Sequence, residues 1–268
     1  MRRTPMKSTP IIVFAVDKGG SGKTTTCANT GAGIANQGKR VLMIDADQQT
    51  NLTQAFLQQE PAKTLYSSLL DESQALPIIH LRDNLDLVPA SHQMFGIGIT
   101  LISEMVKASM EGIAVKDCRG ILARLLAPIR TNYDYILIDC PPSDNVMMMN
   151  ALYAATSVVI VANPEPFSVH GVQNFVNMMW TVKKDANPSL RLGGILIADF
   201  ETDSPGHQKG EDILRRWAPD FVFRTRIRHS RPLYNAVLAR QDIFSYSPRS
   251  NGAMDYGGFV QELLTRSL

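Results

Sequence analysis

Cysteine is scarce: the 268-residue chain holds three, Cys27, Cys118 and Cys140, with no pairing or metal-ligand spacing. That argues against a disulfide framework and fits a reducing, cytoplasmic setting. No apolar run approaches the ~18 residues that a bilayer span requires. Internal repeats, low-complexity tracts and Gly/Ser linkers are absent as well. Neither sign of charge dominates: the formal net charge is +2 and the sequence pI about 8.4, so composition alone does not identify a nucleic-acid binder. What is plentiful is apolar residue, 44% of the chain against 7% aromatic, too much for disorder. A chain of this length can bury a large core in one domain. Residues 1–10 carry Arg2, Arg3 and Lys7 without an apolar h-region or a cleavage site. The expected division is therefore a short disordered basic tail over 1–10 and a single domain over 11–268.

Short apolar runs predict strands at about 11–16, 41–45, 85–88, 135–139, 157–162, 193–198 and 221–223, with helical patterns between most of them. That alternation implies an α/β fold, a mostly parallel twisted sheet with helices on both faces. Residues 94–127 are Met- and Leu-rich at helical spacing, which reads as core and inter-helix packing.

The first apolar run, Ile11 to Val16, leads into Lys18-Gly19-Gly20-Ser21-Gly22-Lys23-Thr24-Thr25 and then into a helix-compatible stretch. Strand, glycine-rich turn and helix in that order form a phosphate-binding loop. Its glycines let backbone N–H groups crowd around phosphate oxygens. Lys23 supplies a point charge at the β/γ-phosphates, and the Thr24 hydroxyl is placed to ligand Mg²⁺. A second apolar run ends in Asp45-Ala46-Asp47, and a third, Tyr135 to Ile138, ends in Asp139 before Cys140-Pro141-Pro142. The third is a Walker B pattern, whose aspartate binds Mg²⁺ through water. Ligands on such sheets bind beyond the carboxyl ends of the strands, where Lys23, Asp47 and Asp139 all fall.

These segments resemble the ParA/MinD family of deviant Walker A partition ATPases, whose loop reads Lys-Gly-Gly-x-Gly-Lys-Thr-Thr, and the likeness extends over most of the chain. The resemblance implies a P-loop NTPase fold with ATP and Mg²⁺ as cofactors, and a nucleotide cradle running from Lys18 and Gly19 through Gly20, Ser21, Gly22, Lys23 and Thr24 to Thr25. Lys18 matches the signature lysine, which reaches the phosphates of the other subunit when two monomers sandwich their nucleotides. Asp47 would hold or polarise the attacking water, making Lys18, Lys23 and Asp47 the catalytic set. Thr24, Asp45 and Asp139 would serve the metal, Asp45 by orienting a Mg²⁺-bound water. Asp199 marks the side where the family holds the base. Two departures stand out: Gln48 occupies a position where proline is usual, and Ile227-Arg228-His229-Ser230 replaces Ile-Pro-Arg-Asn.

Arg224, Arg226, Arg228 and Arg231 lie within eight residues, and 224, 226 and 228 would share one face of an extended chain. Lys183, Lys184, Arg215 and Arg216 could widen the patch. The cluster reads either as a phosphate-backbone contact or as a charged edge that discourages strand pairing. Several ParA-like proteins bind DNA without sequence preference through this part of the chain. The expectation is an ATPase that dimerises on ATP, binds non-specific DNA and partitions a plasmid or chromosome with a ParB-like centromere-binding partner, associating with the nucleoid when ATP-bound. The alternative is a MinD-like ATPase that positions itself on a membrane or positions a protein cargo. Against the membrane, the final stretch from Phe259 has one arginine and reads as a core-docking helix. An Fe–S reductase would need Cys118 and Cys140 to converge across two subunits.

Overall fold

Runs such as Ile11-Ile12-Val13-Phe14-Ala15 form strands because β-branched and aromatic side chains pack well when both faces of a sheet are covered. The computed structural model describes residues 9–15, 20–114, 116–142, 146–165 and 168–266. Its strands are Ile11–Ala15 (β1), Val41–Asp45 (β2), Ile79–Arg82 (β3), Leu85–Val88 (β4), Tyr135–Asp139 (β5), Ser157–Ala162 (β6), Arg191–Phe200 (β7) and Val222–Arg228 (β8). Among the described residues they form one eight-stranded sheet in the order β3-β4-β2-β5-β1-β6-β7-β8. Every neighbouring pair is parallel except β3 and β4. The helices are Lys23–Ala35 (α1), Asn51–Gln54 (α2), Leu65–Leu70 (α3), Ile97–Met110 (α4), Ile121–Leu126 (α5), Val146–Ala154 (α6), Ser168–Asp185 (α7), Pro205–Trp217 (α8), Arg231–Leu238 (α9), Ile243–Tyr246 (α10) and Asn251–Thr265 (α11).

Alternation along β1 separates two cores. Ile11, Val13 and Ala15 pack with residues of α3 to α8, whereas Ile12 and Phe14 pack with residues of α1, α2 and α9 to α11. Each fully buried aliphatic side chain contributes about 1.5–3 kcal/mol. The α1 helix lies close to the sheet because its inner residues are small. A Cβ on Gly31 would stand 2.6 Å from Met43 Sδ. The α11 helix buries Tyr256, Phe259, Val260 and Leu263, so the end of the chain docks into the core, as its composition suggested. No helix of the described residues is long and apolar enough to cross a membrane.

Four expectations need correction. Thr9 and Pro10, placed in the disordered tail, are already tied down: the Thr9 hydroxyl donates to the Arg130 carbonyl at 3.0 Å, and Ile136 N–H donates to the Pro10 carbonyl at 3.0 Å. Residues 1–8 lie outside the described part. The β3 strand was not foreseen. It pairs antiparallel with β4 across Asp83-Asn84, and Asn84 adopts the left-handed φ of 63° that a tight hairpin favours. The β7 and β8 strands run longer than expected: β8 is an edge strand and carries alternating polar residues that apolar periodicity does not register, and β7 extends past its apolar stretch at Arg191 and Asp199. Finally, 94–127 is not all core. Ile97 and Leu101 are buried, but Phe95, Ile99, Ile102, Val106, Met110 and Ile113 are exposed. One side of α4 packs against α6 and the short turn at Cys118–Gly120, and the other side of the helix is left uncovered.

Candidate nucleotide site and basic edge

The order β2-β5-β1 in the sheet sets the carboxyl ends of these three strands side by side. Each carries one of the sequence motifs. Asp45 and Asp139 are register partners at the ends of β2 and β5, and Phe14 of β1 aligns with Asp139 on its other side. The loop between β1 and α1 is described from Gly20 onward; Lys18 and Gly19 lie outside the described residues. Gly20 and Gly22 have φ of 78° and 84°, a conformation that any side chain would strain. Gly22 caps α1 without a side-chain hydrogen bond, which leaves the first-turn N–H groups directed outward at the positive end of the helix dipole. Ser21 Oγ is buried with no hydrogen-bond partner among the described residues. Thr24 and Thr25 are partly buried on the first turn of α1.

Lys23 is buried, and its ammonium is one of two groups that pull the Asp139 pKa down. The Thr24 hydroxyl is the other, and the stronger. Burial and the neighbouring Asp45 carboxylate outweigh both and hold Asp139 well above the usual carboxylate range. Among the described residues no hydrogen bond of ordinary geometry reaches either Asp139 oxygen. Buried carboxylate oxygens without donors are costly, and the usual resolution is a proton or a cation. Among the described residues no three His, Cys, Asp or Glu side chains converge as an all-protein metal cage. One buried carboxylate beside a threonine hydroxyl instead fits Mg²⁺, which keeps waters and takes its remaining ligands from phosphates.

Asp45 is fully buried, and burial pushes it up to about 6. One oxygen accepts the Thr53 N–H at 2.8 Å and the Thr53 hydroxyl at 2.7 Å; the other accepts the Asp47 N–H at 3.1 Å. Asp45 is therefore largely committed to its own loop, with little acceptor capacity left over. Asp47 is buried at the mouth, and its Oδ1 accepts the Gln49 N–H at 3.0 Å. These two side-chain turns stiffen the segment where Gln48 replaces the expected proline.

The α1 helix is also moored on the opposite core. Thr26 and Tyr256 hydroxyls lie 3.1 Å apart, and Asn29 joins the Thr25 carbonyl to the Ile243 N–H. Sequence reasoning found neither this mooring nor Thr53, because the interacting residues are far apart in the chain or lack a motif. Asp199 is inside β7 rather than in the loop beyond it. It has a left-handed φ of 56°, and His229 Nδ1 lies 2.7 Å from its carboxylate. Its neighbour Ala198 stands against Gly22, at the edge of the phosphate loop.

The four arginines do not form one face. Arg226 pairs with Glu211 of α8 at 2.6 Å and lies over the Phe200 ring at 4.3 Å. Arg228 makes a forked pair with Asp255 of α11, on the other side of the sheet. Neighbouring candidates are engaged too: Arg215 with Glu211, Arg216 with the Asp212 carbonyl, and Lys183 with two carbonyls. Arg224 and Arg231 are exposed, with no side-chain acid partner among the described residues. Alternation holds for a strand, but at its end Arg228 turns toward the nearest carboxylate. The three cysteines are buried and free, and burial raises all three thiol pKa values.

Residues 9–192 match the family described as an AAA domain. The sporulation initiation inhibitor protein Soj of Bacillus subtilis (strain 168) is 34% identical over 258 residues, covering 94% of this chain and 97% of Soj. The chromosome partitioning protein ParA of Myxococcus xanthus (strain DK1622) is 30% identical over 262 residues, covering 96% of this chain and 88% of its own. Among solved structures, cobyrinic acid a,c-diamide synthase from Mycobacterium smegmatis, with bound ATP analogue and magnesium, superposes with a TM-score of 0.77 at 26% identity, covering 96% and 94%. Motif order, sheet topology and whole-length similarity agree, and the chain belongs to the ParA/MinD family of P-loop ATPases.

Proposed function

We propose that this protein is a ParA-like partition ATPase that hydrolyses ATP with Mg²⁺, dimerises on the nucleotide and binds DNA without sequence preference. The observation that carries the reading is Asp139, whose two buried oxygens lie near Thr24 and Lys23 and meet no well-aligned donor among the described residues. The β/γ-phosphates would lie over the first turn of α1, among the N–H groups of Gly20 to Thr25, with Lys23 as counter-charge. Mg²⁺, held by the Thr24 hydroxyl with Asp139 reaching it through water, would neutralise phosphate charge. Asp47 would orient the attacking water, with its backbone fixed by Asp45. Asp199 follows Ala198, which stands against Gly22, and would mark the side of the loop where the base is held.

Lys18 would cross to the second subunit's triphosphate, so that hydrolysis waits on pairing. Of the basic cluster, Arg224 and Arg231 are the residues free to meet DNA phosphates. Arg226 and Arg228 would first have to give up Glu211 and Asp255. Pairing doubles the phosphate contacts and steepens the salt dependence of binding. A ParB-like partner would stimulate hydrolysis and release the dimer. Sedimentation and DNA binding of wild type and Lys18→Ala, with Mg²⁺ and a slowly hydrolysed ATP analogue, test the pairing step. The variant is expected to remain monomeric and bind DNA weakly. Full dimerisation and DNA binding by the variant would overturn that step, and absent Mg²⁺-dependent turnover by wild type with DNA present would overturn the hydrolysis assignment.

A further inference from the structure

The segment after β2 is organised by a residue that no motif marks. Thr53 is buried on the single turn of α2 and directs both its N–H and its hydroxyl at the same Asp45 oxygen, at 2.8 Å and 2.7 Å. Its hydroxyl oxygen also accepts the Ala90 N–H at 2.9 Å, just beyond β4. A hydroxyl has one proton. With Ala90 donating to the oxygen, that proton is left for Asp45, so the rotor has a single good setting. The other Asp45 oxygen receives the Asp47 N–H at 3.1 Å, and Thr50, at φ 55°, turns the chain back so that its N–H meets the Asp47 carbonyl at 3.0 Å. Each link is buried, where hydrogen bonds are strong and a missing one is expensive.

We propose that Thr53 is a positioning residue: it holds Asp45, and Asp45 in turn fixes the Asp47 backbone and the place of the Asp47 carboxylate. The neighbouring strand end at Ala90 is the rigid anchor of this relay. Thr53 does not cap α2, whose cap is Thr50, so a helix-capping role does not account for its bonds. Rigid support of this kind matters because misplacing a reacting group by about 1 Å can lower turnover roughly 100-fold. The inference rests on the assignment of Asp47 to the attacking water.

Thr53→Val keeps the shape and removes the hydroxyl, whereas Thr53→Ser keeps the hydroxyl and removes a methyl. Both are compared with wild type in Mg²⁺-ATP turnover with DNA, in affinity for a fluorescent non-hydrolysable ATP analogue, in thermal melting, and in hydrogen exchange at the Asp47 amide. The expected result for Thr53→Val is a kcat about 10- to 100-fold lower, analogue affinity within about threefold, and exchange at Asp47 faster by about tenfold or more. Thr53→Ser should return kcat to within about threefold of wild type. Wild-type kcat in Thr53→Val, equal losses in both variants, or loss of analogue binding in step with turnover would each overturn the proposal. If Thr53→Val does not melt cooperatively, Thr53→Cys replaces it, and Ser must then outperform Cys. If wild type shows no turnover, the hydrolysis assignment fails by itself. Exchange at the Asp47 amide then decides the relay, accelerating in Thr53→Val and not in Thr53→Ser if it holds.

Discussion

Two charged regions sit on this sheet and handle charge in opposite ways. At the carboxyl ends of β2 and β5, Asp45 and Asp139 are buried side by side, and among the described residues no donor reaches Asp139 with ordinary hydrogen-bond geometry. At the far edge, Arg226 and Arg228 are partly exposed, yet each has a carboxylate within 2.7 Å. In the first region Asp45 is satisfied by its own loop, while the Asp139 oxygens are left without a well-aligned donor among the described residues. The second is rich in charge in its sequence but largely neutralised in space. Uncompensated burial is expensive to keep and so points to a ligand, whereas a run of basic residues does not by itself make a binding surface.

The sharpest way to break this contrast is Asp47→Asn. If the carboxylate cluster is a hydrolytic site, the variant should lose turnover by about 100-fold or more while still binding Mg²⁺-ATP, as read by single-turnover assay and equilibrium binding. Retained turnover would make the cluster merely structural.

A second test uses pH. The folded pKa of Asp45 is raised from 3.8 to about 6, so between those values the folded state holds more protons than the unfolded chain. Stability from this group is therefore highest below about pH 4 and falls as pH rises toward 6. Denaturant melts of nucleotide-free wild type should show that fall relative to Asp45→Asn. Asp139 is shifted in the same direction, so Asp139→Asn should raise the stability of the nucleotide-free protein at pH 7 while weakening its response to Mg²⁺. No rise would mean that the burial of this carboxylate is compensated.

On the basic side, Gly210 of α8 packs on Pro164, where an added Cβ would overlap the Pro164 carbonyl oxygen. Gly210→Ala should destabilise by about 1–3 kcal/mol in urea melts and displace the adjoining Glu211, loosening its hold on Arg226. The smallest effects separate free from engaged arginines. Arg224→Ala and Arg231→Ala should each reduce the slope of log K against log salt for DNA by about 0.9. Arg228→Ala should leave that slope unchanged and lower stability by about 1 kcal/mol or less, since its pair with Asp255 is partly exposed. Equal slope changes for all four arginines would restore the basic edge as one surface.

The two regions also differ in how far the sequence reveals them. Loop glycines and strand-end aspartates declare themselves because their chemistry depends on local order: a strand, a turn that tolerates positive φ, a helix start. Thr53 could not be found this way, since its acceptor is eight residues back and its anchor, Ala90, belongs to another strand. The β3 hairpin left a trace at Asp83-Asn84. The exposed stripe on α4 left none, because periodicity reports that a helix has an apolar side but not whether anything covers it.

The chain by itself determined seven of the eight strands, the phosphate loop, the mostly parallel sheet and the identity of the carboxylates, all of which follow from side-chain periodicity and from backbone freedom within a few residues. Only the tertiary structure decided which charges would be left without partners. Whether a carboxylate or a guanidinium is satisfied depends on what distant segments bring within about 3 Å, and here α8 and α11 bring acids to the arginines while β2 and β5 bring one carboxylate to another.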